Sequence, residues 1–393
     1  MIYLDHNATS PLRREVWDAM QACVDAGFGN PSSAHAAGRA ARAAVEHARR
    51  VIAAAVGAQP SEVVFTSGGT ESNNLALFGS APEPRGAHLV VSPIEHASVL
   101  AAARELERHG AEITWLPVDG EGRVRPDDVA AALRPETVLV SVGWANNEIG
   151  TVQPIEAIGA LCRARGIALH SDAAQALGKL PVAAGLADLC TLSAHKLGGP
   201  IGVGALIVRR GVPVHPLCFG GAQERGRRPG SENVPGIVGF AAALSAPASS
   251  AAALGALRDR LWVGVGGLAR VRRHSPADGC LPNTLTVGFA GASGEALVAA
   301  LDLEGVAVSV GSACAAGSGE PSHVLRALGC SEAEARGGVR FSLGASTTAA
   351  EIDATVLAVQ RVVSRMRVVA APPGEAVDAD APTAPTGTEA VGR

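Results

Sequence analysis

Lys196 stands in the run Leu192-Ser193-Ala194-His195-Lys196-Leu197-Gly198-Gly199-Pro200, after a short apolar stretch and before a glycine turn. An amine desolvated in such a place has a lowered pKa, which favours condensation with an aldehyde. Ser193 and His195 beside it can hydrogen-bond a phosphate. Other segments carry groups suited to the same chemistry. Ser67-Gly68-Gly69-Thr70-Glu71 precedes a helical pattern; the glycines admit an anion close to the backbone, and a helix start adds free N–H groups. Glu95-His96 offers an imidazole, Asn146-Asn147 offers amides, and Asp172 with Gln175 offers a carboxylate and a further amide. Taken singly, each has an ordinary reading. Glycine-rich stretches are mostly turns, and a strand-end Asp often caps the next helix.

The elements around these groups make the ordinary reading costly. Strand-like apolar runs are expected at Val63–Thr66, Leu89–Ser92, Val138–Val142, Ala168–Ser171, Leu189–Leu192 and Val203–Val208. Helical patterns lie between many of them, as in Ala41–Ala55 and Ile155–Arg165. Strand–helix alternation predicts an α/β fold with a mostly parallel sheet. In such sheets ligands bind beyond the carboxyl ends of the strands. Each reactive group named above follows one of these strands. Jointly they meet the needs of pyridoxal 5′-phosphate: a phosphate cup, a ring-stacking group, a carboxylate for the pyridinium nitrogen and a Schiff-base lysine, Lys196.

At 393 residues the chain is too long for one simple core. The Ala/Ser-rich passage around Ser245–Ala256 predicts a change of domain. A large domain is expected over 13–250 and a smaller α+β domain over 1–12 and 251–370. The latter has strand candidates Thr284–Phe289, Val306–Val310 and Val339–Ser342, and helix candidates Ser322–Leu328 and Ala350–Val368. The stretch 371–393, rich in Ala, Pro, Thr and Gly, reads as a disordered tail.

Composition excludes several classes. The formal charge is 33 − 37 = −4 and no basic, aromatic-interleaved stretch occurs, so direct nucleic-acid binding is not expected. Seven cysteines are scattered, with no CxxC pair, which argues against a disulfide framework or a metal site. Apolar runs stop well short of a membrane span, and the first residues lack the pattern of a secretory signal, so a cytoplasmic protein is expected.

The ordered motifs resemble the cysteine desulfurases, the NifS/IscS-like branch of the fold-type I pyridoxal-phosphate enzymes of the class-V aminotransferase family. The matching segments are YLDHNATSPL at Tyr3–Leu12, GNPSSAH at Gly29–His35, FTSGGTESNN at Phe65–Asn74 and EHASV at Glu95–Val99. NNEIGTVQP at Asn146–Pro154, SDAAQ at Ser171–Gln175 and SAHKLGGP at Ser193–Pro200 follow. QERGRRPGSENV at Gln223–Val234, GSACAAGSGEPSHVLRALG at Gly311–Gly329 and RFSLG at Arg340–Gly344 complete the set. The resemblance implies that Lys196 holds the cofactor, Asp172 pairs with the ring nitrogen, Gln175 contacts the 3′-oxygen and His96 stacks on the ring and moves protons. It implies that Gly69, Thr70, Ser193 and His195 hold the phosphate, with Ser231 reaching the site of a partner subunit in a homodimer. Asn147 and Arg340 would bind the substrate carboxylate, and His35 would line the site. Cys314 matches the nucleophile, on a loop of small residues suited to a thiol that must move.

The resemblance further implies conversion of L-cysteine to L-alanine, with the sulfur left as a Cys314 persulfide and passed to a sulfur-acceptor protein. Iron–sulfur cluster assembly, tRNA thiolation, DNA phosphorothioation and biosynthetic sulfur supply are all compatible destinations. A selenocysteine lyase, another class-V enzyme of aminotransferase type and a catalytically inactive binding subunit are the alternative readings. The tail from Ala371 does not resemble the scaffold-docking segment of the iron–sulfur housekeeping members.

Overall fold

The computed structural model describes residues 1–27, 29–245, 250–311 and 320–370, without the side chains of 367–370. A short strand β1 (Ile2–Tyr3) leads into helices α1 (Arg14–Asp25) and α2 (Ala36–Ala55). In α2, Ala41, Val45, Ala48 and Ile52 recur at helical spacing and are fully buried.

A seven-stranded sheet follows. Its strands are β2 (Val63–Thr66), β3 (His88–Val91), β4 (Glu112–Trp115), β5 (Thr137–Ser141), β6 (Ala168–Asp172), β7 (Leu189–Ser193) and β8 (Gly204–Val208). Their spatial order is β2-β8-β7-β6-β5-β3-β4. All neighbouring pairs are parallel except the two that β8 makes with β2 and β7. The strands read as unbroken apolar runs because both faces are covered. Side-chain alternation splits them between two cores. Val63, Phe65, Val90 and Val140 join one core with residues of α1, α2, α6 (Ile155–Ala164) and α7 (Val234–Ser245). Val64, Leu89, Val91 and Leu139 join the other with α3 (Gly69–Ser80) and α4 (Ala97–Arg108). A short α5 (Pro126–Ala132) precedes β5.

Beyond α7 comes α8 (Ala251–Gly266), then a three-stranded antiparallel sheet in the order β12 (Gly338–Ser342), β10 (Thr284–Phe289), β9 (Val271–Arg273). Helices α9 (Gly294–Leu303) and α12 (Ala349–Ala370) flank this sheet, and the small helices α10 (His323–Ala327) and α11 (Glu332–Arg336) precede β12. Leu4 is buried in this core, with Leu285, Phe289 and Phe341. Parallel pairing of β1 with β11 (Val306–Ala307) ties the chain start to it.

The elements differ from expectation in three places. The strand expected over Val306–Val310 is only two residues long, because β1, its partner, is equally short. Strands β4 and β9 were not anticipated: each is a sheet edge whose residues are partly or fully exposed, so its apolar pattern is weak. Residues 371–393 lie outside the described residues.

Candidate active site

The reversed strand β8 sets the geometry of the site. Since β2 and β7 both run antiparallel to β8, they run parallel to each other, and their carboxyl ends come level. Thr66 and Ser193, the last residues of those strands, both stand opposite Gly204. A Cβ at Gly204 would lie 2.7 Å from the Gly68 Cα and 2.7 Å from the Leu192 carbonyl oxygen, so only glycine allows this approach. Gly68 itself has φ +152°, and α3 starts at the next residue with no capping side chain. The N–H groups of Gly69, Thr70 and Glu71 therefore have neither intrahelical acceptors nor a side-chain cap among the described residues.

A cavity of about 270 Å³ opens at this end of the sheet. From β2/α3 it receives Gly69 and Thr70, and from the turn before α4 it receives His96. Asn147 follows β5, Asp172 ends β6 and Gln175 follows it. Ser193 ends β7, with His195 and Lys196 in the 3-10 turn after it. Arg340 enters from β12.

Lys196 Nζ donates to the carbonyl oxygens of Asn7 (2.7 Å) and Ala8 (2.9 Å). Asp172 Oδ2 accepts from Asn73 Nδ2 at 2.7 Å and its Oδ1 from the Ala174 N–H at 2.9 Å. Asn73 Nδ2 also donates to Ser98 Oγ (2.9 Å), which meets His96 Nδ1 at 2.8 Å. Because His96 Nδ1 accepts from the Ser98 N–H as the cap of α4, Nε2 is the ring nitrogen left to carry a proton. His195 Nδ1 meets Thr9 Oγ1 at 3.1 Å. Its pKa falls to about 4 through burial and then the charges of Lys196 and His96, so the ring is neutral near pH 7. Beneath the site, burial lifts the Glu95 carboxyl to about 8. A protonated Glu95 adds no negative charge beside Asp172.

Arg340 is 1% exposed. Its Nη2 pairs with Asp5 Oδ1 at 2.7 Å and its Nη1 donates to the Asn147 carbonyl at 3.0 Å. Its Nε is buried without a hydrogen-bond partner among the described residues. Among the described residues Ser193 Oγ likewise has no hydrogen-bond partner; it is buried next to the N-terminus of α3. Hydroxyl and helix start together form a donor set suited to a phosphate, and Asp172 is suited to a protonated ring nitrogen. The residues present thus fit pyridoxal phosphate.

Two expected residues stand apart from this cavity, and a third is not among the described residues. His35 is exposed and caps α2, its Nδ1 accepting from the Gly38 N–H at 3.2 Å. Ser231 is exposed in the segment before α7. Cys314 lies outside the described residues. Four contributors went unassigned at the sequence level: Asp5, Asn7, Asn73 and Ser98. Asn73 carried a signal, an amide within the buried face of α3.

The sequence profile of the aminotransferase class-V family matches residues 2–355. A cysteine desulfurase IscS of Dictyoglomus turgidum is 44% identical over 377 residues, covering 94% of this chain and 96% of that protein. A solved structure of a NifS-like protein superposes with a TM-score of 0.86 at 36% identity, covering 93% of this chain and 99% of the other. Another, described as SspA in complex with cysteine, gives 0.79 at 37% identity over 88% of this chain and all of the other.

Proposed function

Because this chain belongs to the class-V aminotransferase family, we propose that it is a pyridoxal-phosphate-dependent cysteine desulfurase, converting L-cysteine to L-alanine and retaining the sulfur as a persulfide. The observation that carries this reading is the convergence of Lys196, Asp172 and the unpartnered Ser193 hydroxyl on one cavity.

Lys196 would hold the cofactor covalently, and Asp172 would face its ring nitrogen. Gln175 would face the 3′-oxygen, and Thr70, Ser193, His195 and the start of α3 would hold the phosphate. When bound, the cofactor supplies an electron sink for the charge left as the Cα–H bond of the substrate breaks. The chain's own groups do the remaining work. Arg340 and Asn147 bind and orient the substrate carboxylate. The Lys196 amine, held by the Asn7 and Ala8 carbonyls, would take and return the Cα proton. His96 exchanges protons at Nε2, its ring oriented by Ser98. The Cys314 thiolate attacks the substrate sulfur: an S–S bond forms, the C–S bond breaks, and the carbon gains a proton.

The reading includes a second copy of the chain, since Ser231 is exposed and away from its own cavity. It also includes an acceptor protein thiol that takes the persulfide sulfur. Among the described residues no helix is long and apolar enough to cross a membrane.

The test uses the full chain loaded with pyridoxal phosphate. Wild type is expected to release alanine from cysteine and to show a visible absorption band. Lys196→Ala should lose both. Cys314→Ser should keep the band and lose alanine release and persulfide; unchanged alanine release in Cys314→Ser refutes the proposal. Comparing cysteine with selenocysteine separates a desulfurase from a selenocysteine lyase.

A further inference from the structure

A second lysine lies directly behind the first. Gly178, at φ +76°, turns the chain so that Lys179 returns beside Gln175. Lys179 Nζ donates to Gln175 Oε1 at 2.7 Å and to Asn7 Oδ1 at 3.1 Å. Gln175 Nε2 in turn donates to the Asn7 carbonyl at 2.9 Å, the same oxygen that accepts from Lys196. Lys196 and Lys179 thus bind the backbone and side-chain oxygens of one asparagine. Asn7 is itself pinned from β10 and the residue before it, through Thr284 Oγ1 (2.9 Å) and Asn283 Nδ2 (3.1 Å). Lys179 and Lys196 also line a second cavity of about 390 Å³ on the far side of Lys196, with His6 and Asn283.

We propose that Lys179 is a positioning residue for the cofactor-bearing lysine: it locks the Gln175 amide in one orientation, and its charge opposes protonation at Lys196. The inference rests on the cofactor assignment above. An ammonium only donates and a carbonyl only accepts, so Lys179 on one side and the Asn7 carbonyl on the other leave the amide a single satisfied orientation. One Nε2 proton remains uncommitted to Asn7, on a residue that lines the active-site cavity. The electrostatic part follows from the company Lys179 keeps. Among the described residues its bonds go to amide oxygens and to no carboxylate. Three other basic groups face it. Lys196 is one. Arg340 is the second, and its charge is balanced by Asp5. His6 is the third, lowered to about 4 by burial and then by Lys179, and so neutral near pH 7. Lys179 is itself lowered to about 7, by burial and then by Lys196 and Arg340. Like charges this close disfavour each other's protonated form.

The experiment follows the visible absorption of the full-length holoenzyme against pH. In Lys179→Met the midpoint of the spectral transition is expected to rise, by about one pH unit where it lies below about 7 and Lys179 is charged, and by less above. Lys179→Gln, which keeps a donor and loses the charge, should move it the same way. Lys179→Arg, which keeps the charge, should stay near wild type. Midpoints equal to wild type in the folded Met or Gln variants overturn the inference, as does an Arg variant that shifts as far as they do. Failure of the underlying assignment looks different: the wild type would show no visible band, or the band would survive Lys196→Ala.

Discussion

Glu224→Ala tests what holds the segment that leads to Ser231. Glu224 and Arg49 form a two-pronged ion pair, Nη1 to Oε2 at 2.8 Å and Nη2 to Oε1 at 2.7 Å. Their side chains are 2% and 3% exposed. Glu224 Oε2 also accepts from the Phe65 N–H at 2.9 Å, one residue before the end of β2. Arg49 keeps other contacts, among them the Val63 carbonyl at 2.8 Å and the Phe65 ring at 4.6 Å. Removing the carboxylate leaves a buried guanidinium without its countercharge, which costs about 3–5 kcal/mol. The residual contacts of Arg49 and half-buried Glu46, 3.3 Å from its Nε, place the expected loss near the lower end of that range. Glu224 and Arg225 have φ of +46° and +59°, so relief of that backbone offsets part of the loss. Urea unfolding followed by far-UV circular dichroism measures it, provided the slope with denaturant is unchanged. Arg49→Met and the double variant complete a cycle. The double is expected to be less destabilised than the sum of the singles by about 2 kcal/mol or more, since both charges are then gone. A loss under about 1 kcal/mol for Glu224→Ala, or simple additivity, would refute the assignment of the pair as the anchor of this segment.

Gly204→Ala should push the start of α3 away from Ser193, costing about 1–3 kcal/mol of stability, with a weaker affinity for pyridoxal phosphate in equilibrium dialysis; wild-type affinity would contradict the close approach. His170 is buried between Ser141 and Thr191 and lowered from 6.5 to about 4 by burial. The unfolded chain therefore binds protons first, and stability should fall as pH drops from 6.5 toward 4; His170→Gln should make that slope shallower, His6 and His195 contributing the rest, in urea midpoints taken across the window. Glu95 has the opposite sign: raised by burial from 4.5 to about 8, it favours the fold least at high pH. The stability of Glu95→Gln relative to wild type should climb between pH 4.5 and 8 and level off above, and a flat difference would show that Glu95 is ionised in the fold.

What was legible in the sequence, and what was not, divides along a physical line. The central strands and the groups at their ends could be read because they depend on local pattern. A strand covered on both faces is an unbroken apolar run, and Asp172, Ser193, His195 and Lys196 follow such runs within a few residues. Their residue types name the chemistry before any contact is known. The edge strands β4 and β9 escaped because exposure dilutes the pattern that marks a strand. The partners of the reactive groups escaped for a stronger reason. Lys196 is held by Asn7, 189 residues away, and Asp172 by Asn73, 99 residues away. Asn7 reaches Thr284 across 277 residues, and Arg340 reaches Asp5 across 335. No periodicity encodes a hydrogen bond of that span, because its geometry exists only once separate elements have packed. The sequence by itself determined which reactive groups follow the strands and the cofactor chemistry they suit; tertiary packing, through the reversed strand β8 and the Asn7 hub, decided how Lys196 is held.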